Sequence, residues 1–514
     1  MKTRLTALVC FAVFMTCHVR ADVRLPEIFD NNMVLQRDTP IPIWGWADPQ
    51  ETISVTFGTQ TVNSTANADG KWSLKLTPLK ANAEPSTLTV KGKNEINLTN
   101  ILVGDVWLCS GQSNMQWSMA QSDRIEYVEI LKTVNNPNLR LFHVAQKFNA
   151  DPQDKLPIRA TWVACSADAV PDFSAVALHF GRKLQAELGV PIGLINSSWG
   201  GTRIEPWIPP VGFQSVPSLK SFADELETRT LQSEAYKKLV NKTLQEYQSW
   251  IDESKKASGR ITAPPKLPEI LIPTNNTHPT VLYNTMIYPL VPFALKGVIW
   301  YQGESNMGDG MLYAEKMKAL IQGWRKVFDN ADLGFYYVQL APYIYGNHPP
   351  TALPEFWEAQ SSVEKALPKT GQAVINDLVD NIRDIHPVRK KPVGERLALL
   401  ALNRTYGKSE VACSSPEFDR MDVNDSTLTV YFRNAKALQV LAGMGMSGVS
   451  FEIAGADGVY HGIDRLDVSG AKIGLTSPRV AKPVSVRFSW RHDSQSVIHN
   501  EFGLPLGAFR ASME

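Results

Sequence analysis

Between Arg24 and about Asn100, apolar and polar residues alternate in short runs that are separated by turn residues. This period of two predicts β-strands with one buried face, and no helical period lasts long enough to compete. The clearest runs are residues 40–46, 52–58, 71–76 and 86–90. The Asp69-Gly70 pair predicts a hairpin turn before the third of these runs. We therefore expect a small β-sandwich over residues 22–100.

The pattern changes at Ile101, where apolar runs begin to alternate with amphipathic segments. That alternation predicts an α/β fold, a parallel sheet covered by helices, over residues 101–412. The predicted strands are residues 101–108, 139–144, 190–196, 297–301, 334–340 and 373–377. The predicted helices are residues 123–134, 174–188, 311–328, 353–366 and 392–406.

Two further regions depart from the α/β pattern. Residues 216–266 are polar and rich in Lys, Glu and Gln, which indicates solvated helices, as over 228–254, in an insertion or lid. A proline-rich joint follows at residues 263–273. Strand patterns return at 427–432, 449–453 and 484–490, so residues 413–514 are predicted to form a second β-rich region.

The composition and the first residues of the chain predict the compartment in which the protein is found. At 514 residues, 44% hydrophobic and 20% charged, the chain is typical of a soluble protein with more than one domain. Residues 1–21 have the basic start, apolar run and small-residue end of a secretory signal peptide, which predicts a secreted or periplasmic protein. The residues before Cys17 fit lipoprotein processing poorly, and no later run approaches the ~20 apolar residues of a membrane span.

The net charge and the cysteine content bear on which partners and cross-links the protein has. Removal of the signal leaves 49 basic against 51 acidic residues, because three of the 52 basic residues lie within it. A net charge of about −2 suggests neither a nucleic-acid nor an anionic-membrane partner. Cys109, Cys165 and Cys413 remain, without metal-like spacing, so buried free thiols are favoured over one possible bridge.

Four polar stretches follow the ends of predicted parallel strands, at residues 111–114, 196–203, 302–306 and 384–387. Ligands bind beyond the carboxyl ends of the strands in open α/β sheets, so these stretches can converge. Acyl transfer needs a hydroxyl nucleophile and an imidazole base, for which Ser113 and His386 are the candidates. The competing interpretations are a helix-capping serine and a structural loop histidine.

An oxyanion needs hydrogen-bond donors, and the backbone N–H of Ser113 and of Gly201 (or Gly200), with a side-chain amide, would supply them. The glycine pair is also compatible with a plain turn. Glu304 could act as the general acid of a glycosidase, but no equally placed partner carboxylate accompanies it.

These stretches belong to four ordered motifs: GQSNM at 111–115, NSSWGGTRIEPW at 196–207, LYNTMIYPLVPFALKGVIWYQGESN at 282–306 and DIHPVRKKPVGERLA at 384–398. Over about residues 104–401 the chain resembles the sialate O-acetylesterase family of the SGNH-hydrolase group, and its flanking β regions also resemble family members. The resemblance implies a three-layer α/β/α core with a parallel sheet, flanked by N-terminal and C-terminal β-sandwich-like regions. It also implies a serine esterase that deacetylates sugars without a metal or other cofactor.

The motifs carry roles to particular residues. The resemblance makes Ser113 the nucleophile and His386 the base, and it offers Gly201 or Gly200 as an oxyanion donor. It places the Gln302 amide where many SGNH hydrolases use an asparagine, with Asn306 as the alternative.

One departure concerns the acid of the triad. SGNH hydrolases commonly carry Asp-x-x-His, whereas residue 383 is Arg and the nearest acid is Asp384, two residues before His386. Asp384 is the first candidate to orient the imidazole, and Asp377, Asp380 or a backbone carbonyl could replace it. Without any such carboxylate the enzyme would work as a dyad, at a lower rate.

Substrate contacts follow from the same stretches. Arg203 could pair with a sugar carboxylate, or it could form a structural ion pair beneath the site. Trp117, Trp207 and Tyr301 could stack on sugar faces, although core positions compete for each, and Glu304 is a further substrate-binding candidate.

The predicted function is that of a carbohydrate O-acetylesterase acting on an acetylated sugar, with sialate O-acetylesterase ahead of an acetylxylan or other hemicellulose esterase. A non-catalytic glycan-binding protein is the alternative from another class.

Overall fold

The computed structural model describes residues 22–268, 275–441 and 450–513. The predicted signal peptide and Cys17 lie outside the described residues, as do part of the proline-rich joint and residue 449 of a predicted strand. Six short strands open the described chain: β1 (Val34–Gln36), β2 (Ile41–Trp46), β3 (Thr52–Phe57), β4 (Gln60–Thr65), β5 (Lys71–Leu76) and β6 (Asn82–Lys91). In β2, β3 and β5 every second side chain is buried, which confirms the period-two pattern.

The turn at Asp69-Gly70 joins β4 to β5, but these strands are not a hydrogen-bonded pair. Strand β4 pairs with β3, and β5 pairs antiparallel with β2. The predicted turn is confirmed, with the Gly70 N–H donating to the Asn67 carbonyl over 3.0 Å, but the prediction that it joins two paired strands is wrong. Alternation identifies the buried face of a strand, whereas the partner strand depends on contacts between distant parts of the chain.

The central sheet contains seven strands in the order β13-β12-β11-β7-β10-β8-β9. They are β7 (Glu95–Gly111), β8 (Asn135–His143), β9 (Trp162–Ser166), β10 (Ile192–Ser198), β11 (Gly297–Tyr301), β12 (Gly334–Val338) and β13 (Thr370–Ala373). Neighbours are parallel, as predicted, except that β9 runs antiparallel to β8. Strand β13 ends at Ala373, where a strand over 373–377 was predicted to begin. Beyond it the Val374 carbonyl accepts from Arg396 Nη1 over 2.7 Å and the Asn376 carbonyl from the Ser496 N–H over 3.1 Å, so these groups do not extend the sheet.

Strand β7 is shared between two regions. Its first half pairs with β6, and its second half pairs with β10 and β11. All residues from Ile101 to Gly111 are buried. The boundary predicted between residues 100 and 101 consequently lies within one continuous strand.

Each predicted amphipathic segment of the α/β region forms a helix, and shorter helices that were not predicted accompany them. The helices are α1 (Ser113–Gln116), α2 (Arg124–Thr133), α3 (Ala175–Leu188), α4 (Pro210–Ser215), α5 (Lys220–Glu227), α6 (Glu234–Lys256), α7 (Leu312–Val327), α8 (Ala352–Ala366) and α9 (Lys390–Arg404). Helix α3 packs against α9, and α7 packs against α4 and α8. The insertion contains α5 and α6, whose side chains are almost all partly or fully exposed, as expected for solvated helices.

The C-terminal region consists of strands, as predicted: β14 (Glu417–Asn424), β15 (Thr427–Arg433), β16 (Leu438–Val440), β17 (Phe451–Ala454), β18 (Tyr460–Gly462), β19 (Arg465–Ser469), β20 (Lys472–Thr476), β21 (Ser485–Phe488), β22 (Ile498–Asn500) and β23 (Phe509–Ser512). They form three sheets around a hydrophobic core of their own.

Two further sequence predictions can be compared with the structure. Within the described ranges, no helix is long and apolar enough to cross a bilayer. Cys109, Cys165 and Cys413 are free thiols, of which the first two are buried, as favoured from the sequence. Burial raises the pKa of the Cys165 thiol to about 11, so this thiol is unreactive at neutral pH.

Candidate active site

Ser113 stands at the carboxyl end of the middle strand of the central sheet. Strand β7 ends at Gly111, whose φ of +138° suits glycine, and a Cβ at this position would collide with the Tyr301 carbonyl of β11. Gln112 then donates its backbone N–H to that carbonyl over 2.9 Å, and α1 begins at Ser113. The close approach of two strands thus places the serine on a short turn at the edge of the sheet.

His386 reaches the same place from the loop that joins β13 to α9. Its Nε2 lies 2.9 Å from Ser113 Oγ, which is hydrogen-bond distance. The imidazole stacks on the Trp117 ring, with centroids 4.4 Å apart and planes inclined by 17°. Asn114 Nδ2 donates to the Ile385 carbonyl over 3.0 Å and ties this loop to α1. The structure thus brings together the two residues predicted to meet.

The other imidazole nitrogen lacks a close acid. Asp384 Oδ1 lies 3.9 Å from His386 Nδ1, and the aspartate side chain is 54% exposed. Asp384 Oδ1 instead accepts the backbone N–H of His386 over 2.9 Å. In the part of the chain that the structure describes, His386 Nδ1 has no hydrogen-bond acceptor. The prediction that Asp384 orients the imidazole directly is therefore not supported, because 3.9 Å is too long for a hydrogen bond.

The substitutes proposed for Asp384 do not fill the position either. Asp377 is held by two hydrogen bonds from Arg396, at 2.6 and 2.7 Å, and by His499 Nε2 at 3.1 Å. Asp380 is exposed on the surface. The hydroxyl and the imidazole accordingly form a hydrogen-bonded pair, with the Asp384 carboxylate nearby but beyond hydrogen-bond distance of Nδ1.

The surroundings keep the imidazole neutral. Burial is the main cause that lowers the pKa of His386, and the charge of Lys390 lowers this pKa further. The charge of Asp384 acts in the opposite direction. Lys390 is itself buried, and burial lowers its pKa to about 7. Its Nζ donates to Asn114 Oδ1 over 2.5 Å. A neutral imidazole at pH 7 can accept the Ser113 proton, as a general base must.

Backbone donors for an oxyanion come from α1 and from the loop after β10. A Cβ on Gly200 would lie 3.2 Å from Ser113 Cβ, so this loop touches the serine. The Gly200 N–H already donates to Gln116 Oε1 over 2.7 Å, which corrects its prediction as an oxyanion donor. Gly201 has a φ of +73°, and its N–H and that of Ser113 have no acceptor among the hydrogen bonds of the described residues.

The two amides predicted for the oxyanion point elsewhere. Gln302 is fully buried, and its Nε2 lies 2.8–3.1 Å from oxygens of Gln112, Thr202 and Asn306. Asn306 Nδ2 donates to Glu205 and to Asp309 Oδ2, at 3.1 and 2.7 Å. Both amides brace the loops around the site, so their prediction as oxyanion donors is not supported.

Gln112 carries a side-chain amide next to Ser113 that was not among the oxyanion donors predicted from the sequence. Its Oε1 accepts from Gln302 Nε2 and from two backbone N–H groups, at 3.1–3.4 Å. These donors fix the amide orientation, and Gln112 Nε2 makes no hydrogen bond within the described ranges. The only signal in the sequence was its position next to the candidate nucleophile.

For Arg203 the structure favours the second of the two sequence interpretations. The guanidinium lies 2.9 Å from both Glu205 and Asp309, and Lys316 Nζ completes the cluster at 2.6 and 2.7 Å from the same carboxylates. Although burial raises the pKa of Glu205, the hydrogen bonds from Arg203 and Lys316 bring it below its ordinary value. Arg203 is a structural ion-pair residue here.

Two of the four remaining predicted substrate contacts are fully buried, and the other two are half-buried. Trp207 is fully buried and donates to Thr202 Oγ1, and Tyr301 is also fully buried. The Glu304 carboxylate accepts from Asn114 over 2.5 Å, and burial raises its pKa. These findings correct the prediction that Trp207 and Tyr301 contact substrate, whereas the role of Glu304, which is half-buried, stays a prediction. Trp117 is half-buried and contributes its ring to His386 instead.

A serine hydroxyl hydrogen-bonded to an imidazole at the carboxyl edge of a parallel sheet, beside unpaired backbone N–H groups, defines a serine hydrolase-type site. Comparison with known proteins is more specific. Residues 103–255 and 275–398 match the family of carbohydrate esterases described as sialic acid-specific acetylesterases, and the chain belongs to this family.

The relatives agree with this assignment. The sialate O-acetylesterase of Mus musculus is 32% identical over 428 residues, which are 76% of this chain and 75% of the mouse protein. That of Homo sapiens is 30% identical over 433 residues, 78% of this chain and 74% of the human protein. The crystal structure of a carbohydrate acetylesterase from Xanthomonas citri superposes with a TM-score of 0.78 and 34% identity, covering 96% of this chain and 100% of that one.

Proposed function

We propose that this protein hydrolyses acetyl esters of carbohydrates, first of all O-acetylated sialic acids, through an acyl-enzyme formed on Ser113. The observation that carries the proposal is the 2.9 Å contact between Ser113 Oγ and His386 Nε2 in a chain of the carbohydrate esterase family. The order of the central strands and the helices packed on them support a three-layer SGNH-type core. The sequence of residues 1–21 supports a secreted or periplasmic location.

The first half-reaction transfers the acetyl group to the enzyme. His386 Nε2 removes the Ser113 proton while Oγ attacks the carbonyl carbon of the acetyl ester. The backbone N–H groups of Ser113 and Gly201 hold the negative charge on the carbonyl oxygen, and Gln112 Nε2 is a third candidate donor. The intermediate then expels the sugar oxygen, which takes its proton from His386.

The second half-reaction releases acetate. A water molecule loses its proton to His386 and attacks the acetyl carbon, and Ser113 leaves with the proton that the imidazolium returns. In both halves the imidazolium lacks a hydrogen-bonded carboxylate. The Trp117 face, 4.4 Å from the imidazole, fixes the ring and attracts its positive charge. Asp384 adds only a weak, solvent-screened field.

A second substrate class is favoured by one observation. Arg203, the predicted partner of a sugar carboxylate, is engaged by Glu205 and Asp309, so recognition of the sialate carboxylate has to come from another group. An acetylated neutral sugar, such as acetylxylan, needs no such group. The ion pair therefore keeps a hemicellulose acetylesterase as the second candidate.

Acetate release separates the candidates. Purified protein is incubated with O-acetylated sialosides and with acetylxylan under identical conditions, and Ser113→Ala is the matched control. We expect acetate from the sialosides at the higher kcat/KM and none from the variant. Faster release from acetylxylan would select the second candidate. Failure to hydrolyse either substrate or nitrophenyl acetate, with retained glycan binding, would refute the esterase proposal in favour of a binding protein.

A further inference from the structure

A cavity of about 310 Å³ lies between the edge of the central sheet and the C-terminal sheets. One wall comes from α8, β13 and the end of α9, and the other from residues 414–418 and 506–510. None of its lining residues belongs to the site around Ser113. Its volume is at the lower end of the roughly 300–1,000 Å³ that is usual for small-molecule sites.

Two glutamines give this cavity unused hydrogen-bonding capacity. Gln339 and Gln372 line it and are only 1% and 9% exposed. Gln339 Oε1 and Gln372 Nε2 are buried without a hydrogen-bond partner within the described part of the chain. Ser361 Oγ donates to Gln372 Oε1 over 2.9 Å, which fixes the orientation of that amide. Both atoms lie just beneath the surface of the cavity wall, and buried polar groups normally have partners, so a polar ligand that draws these side chains toward the cavity would supply the missing ones.

The charges around the cavity are balanced. Its three lining carboxylates are each paired with one of three lining cations: Glu358 with Arg510 at 2.9 Å, Glu364 with Arg404 at 2.6 Å and Glu417 with Lys365 at 2.9 Å. An anionic ligand would have to disrupt one of these pairs. A neutral ligand with hydroxyl groups could satisfy both amides and leave every pair intact.

The cavity also has an apolar wall. Phe418 and Phe509 line it and are partly exposed, and their rings stack with centroids 5.4 Å apart and planes at 27°. A sugar ring combines hydroxyl groups, each a donor and an acceptor, with apolar C–H faces. This combination matches a cavity with an unpaired amide donor and an unpaired amide acceptor in its wall and an aromatic surface.

We propose that this cavity binds a neutral saccharide of mono- or disaccharide size, at a site separate from Ser113. The proposal does not depend on the esterase activity. It gives the contact region between the α/β core and the C-terminal sheets a role in holding glycan.

Calorimetric titration of the full-length Ser113→Ala variant tests the proposal, because this background removes turnover. The probes are galactose, lactose and xylobiose, with N-acetylneuraminic acid and inorganic phosphate as anionic comparators. We expect saturable binding of at least one neutral sugar. Gln372→Met, which removes the donor at similar volume, and Ala508→Tyr, which fills the cavity from a half-buried position, should each weaken binding at least tenfold.

Two matched controls should bind as the parent does. Gln248→Met makes the same change on the exposed face of α6, and Ala508→Ser leaves the cavity open. Thermal unfolding verifies that each variant is folded. If Gln372→Met does not fold, Ala508→Tyr decides the test. When made in the protein that retains Ser113, both cavity variants should hydrolyse nitrophenyl acetate at the parental rate. Binding of the anions alone, no binding of any neutral probe, or binding unaffected by the folded cavity variants would overturn the proposal.

Discussion

The position of Asp384 leads to a quantitative prediction about the dyad. Asp384→Asn removes the carboxylate charge but keeps an Oδ1 that can accept the His386 backbone N–H, now bonded over 2.9 Å. The substitution therefore isolates the electrostatic effect of the acid on the imidazole. Asp384→Ala removes the charge and also the acceptor that shapes the loop.

The magnitude follows from the 3.9 Å separation and the 54% exposure of the aspartate. Two unit charges at this distance interact by about 1 kcal/mol in water, and salt at ~0.15 M reduces this further. About 1 kcal/mol of imidazolium stabilisation corresponds to less than a tenfold change in rate, since ~1.4 kcal/mol is tenfold. A carboxylate hydrogen-bonded to Nδ1, as in a serine protease triad, is worth about 10⁴ in kcat.

The assay is the pH dependence of kcat/KM for nitrophenyl acetate. For Asp384→Asn we expect kcat/KM at pH 7 to fall by less than about tenfold. We also expect the acid limb of the profile, where kcat/KM falls as His386 is protonated, to move to lower pH. The limb moves down because Asp384 raises the pKa of His386, so its removal leaves the imidazole neutral to lower pH. Asp384→Ala should lose more than Asp384→Asn. A loss of ~10³ or more in Asp384→Asn would show that this acid reaches Nδ1 during turnover and would refute the dyad.

Three other substitutions test the remaining groups. Trp117→Ala should lower kcat by about ten- to a hundredfold, because the imidazole loses the surface that fixes it, and steady-state kinetics measure this. Lys390→Met should move the acid limb of kcat/KM to higher pH, because the Lys390 charge lowers the pKa of His386. Lys316→Met should destabilise the fold by about 3–5 kcal/mol in urea unfolding, because it leaves buried carboxylates with too few cations.

Each of these predictions has a control. Trp117→Phe retains an aromatic face and should recover most of kcat, and equal losses in both variants would contradict the stacking role. The Lys390 effect should appear below about pH 7, where this lysine is charged, and an unmoved limb would contradict it. Lys237→Met breaks an exposed pair on α6 and should cost about 1 kcal/mol or less. A similar cost for Lys316→Met would mean that the buried cluster contributes little to stability.

The reactive pair was predictable because its positions follow from local signals. Ser113 and His386 each follow a predicted strand of a parallel sheet, and the strand ends of such a sheet share one edge. The amides were not predictable in the same way. Three chemically similar amides lie in neighbouring loops, those of Gln302, Asn306 and Gln112. Only packing decides which amide N–H groups are hydrogen-bonded to neighbouring residues and which remain unpaired.

The sequence by itself determined the periodicity of the strands and helices, the serine and histidine that we propose as nucleophile and base, and the family motifs that surround them. Side-chain type and local spacing carry this information. Only the tertiary structure decided that β4 and β5 do not pair, that Trp207 is buried and that Arg203 is held by carboxylates. It also decided that Asp384 stops short of the imidazole. Such outcomes depend on contacts between residues far apart in the chain, and a difference of about 1 Å separates a hydrogen bond from a weak field through solvent.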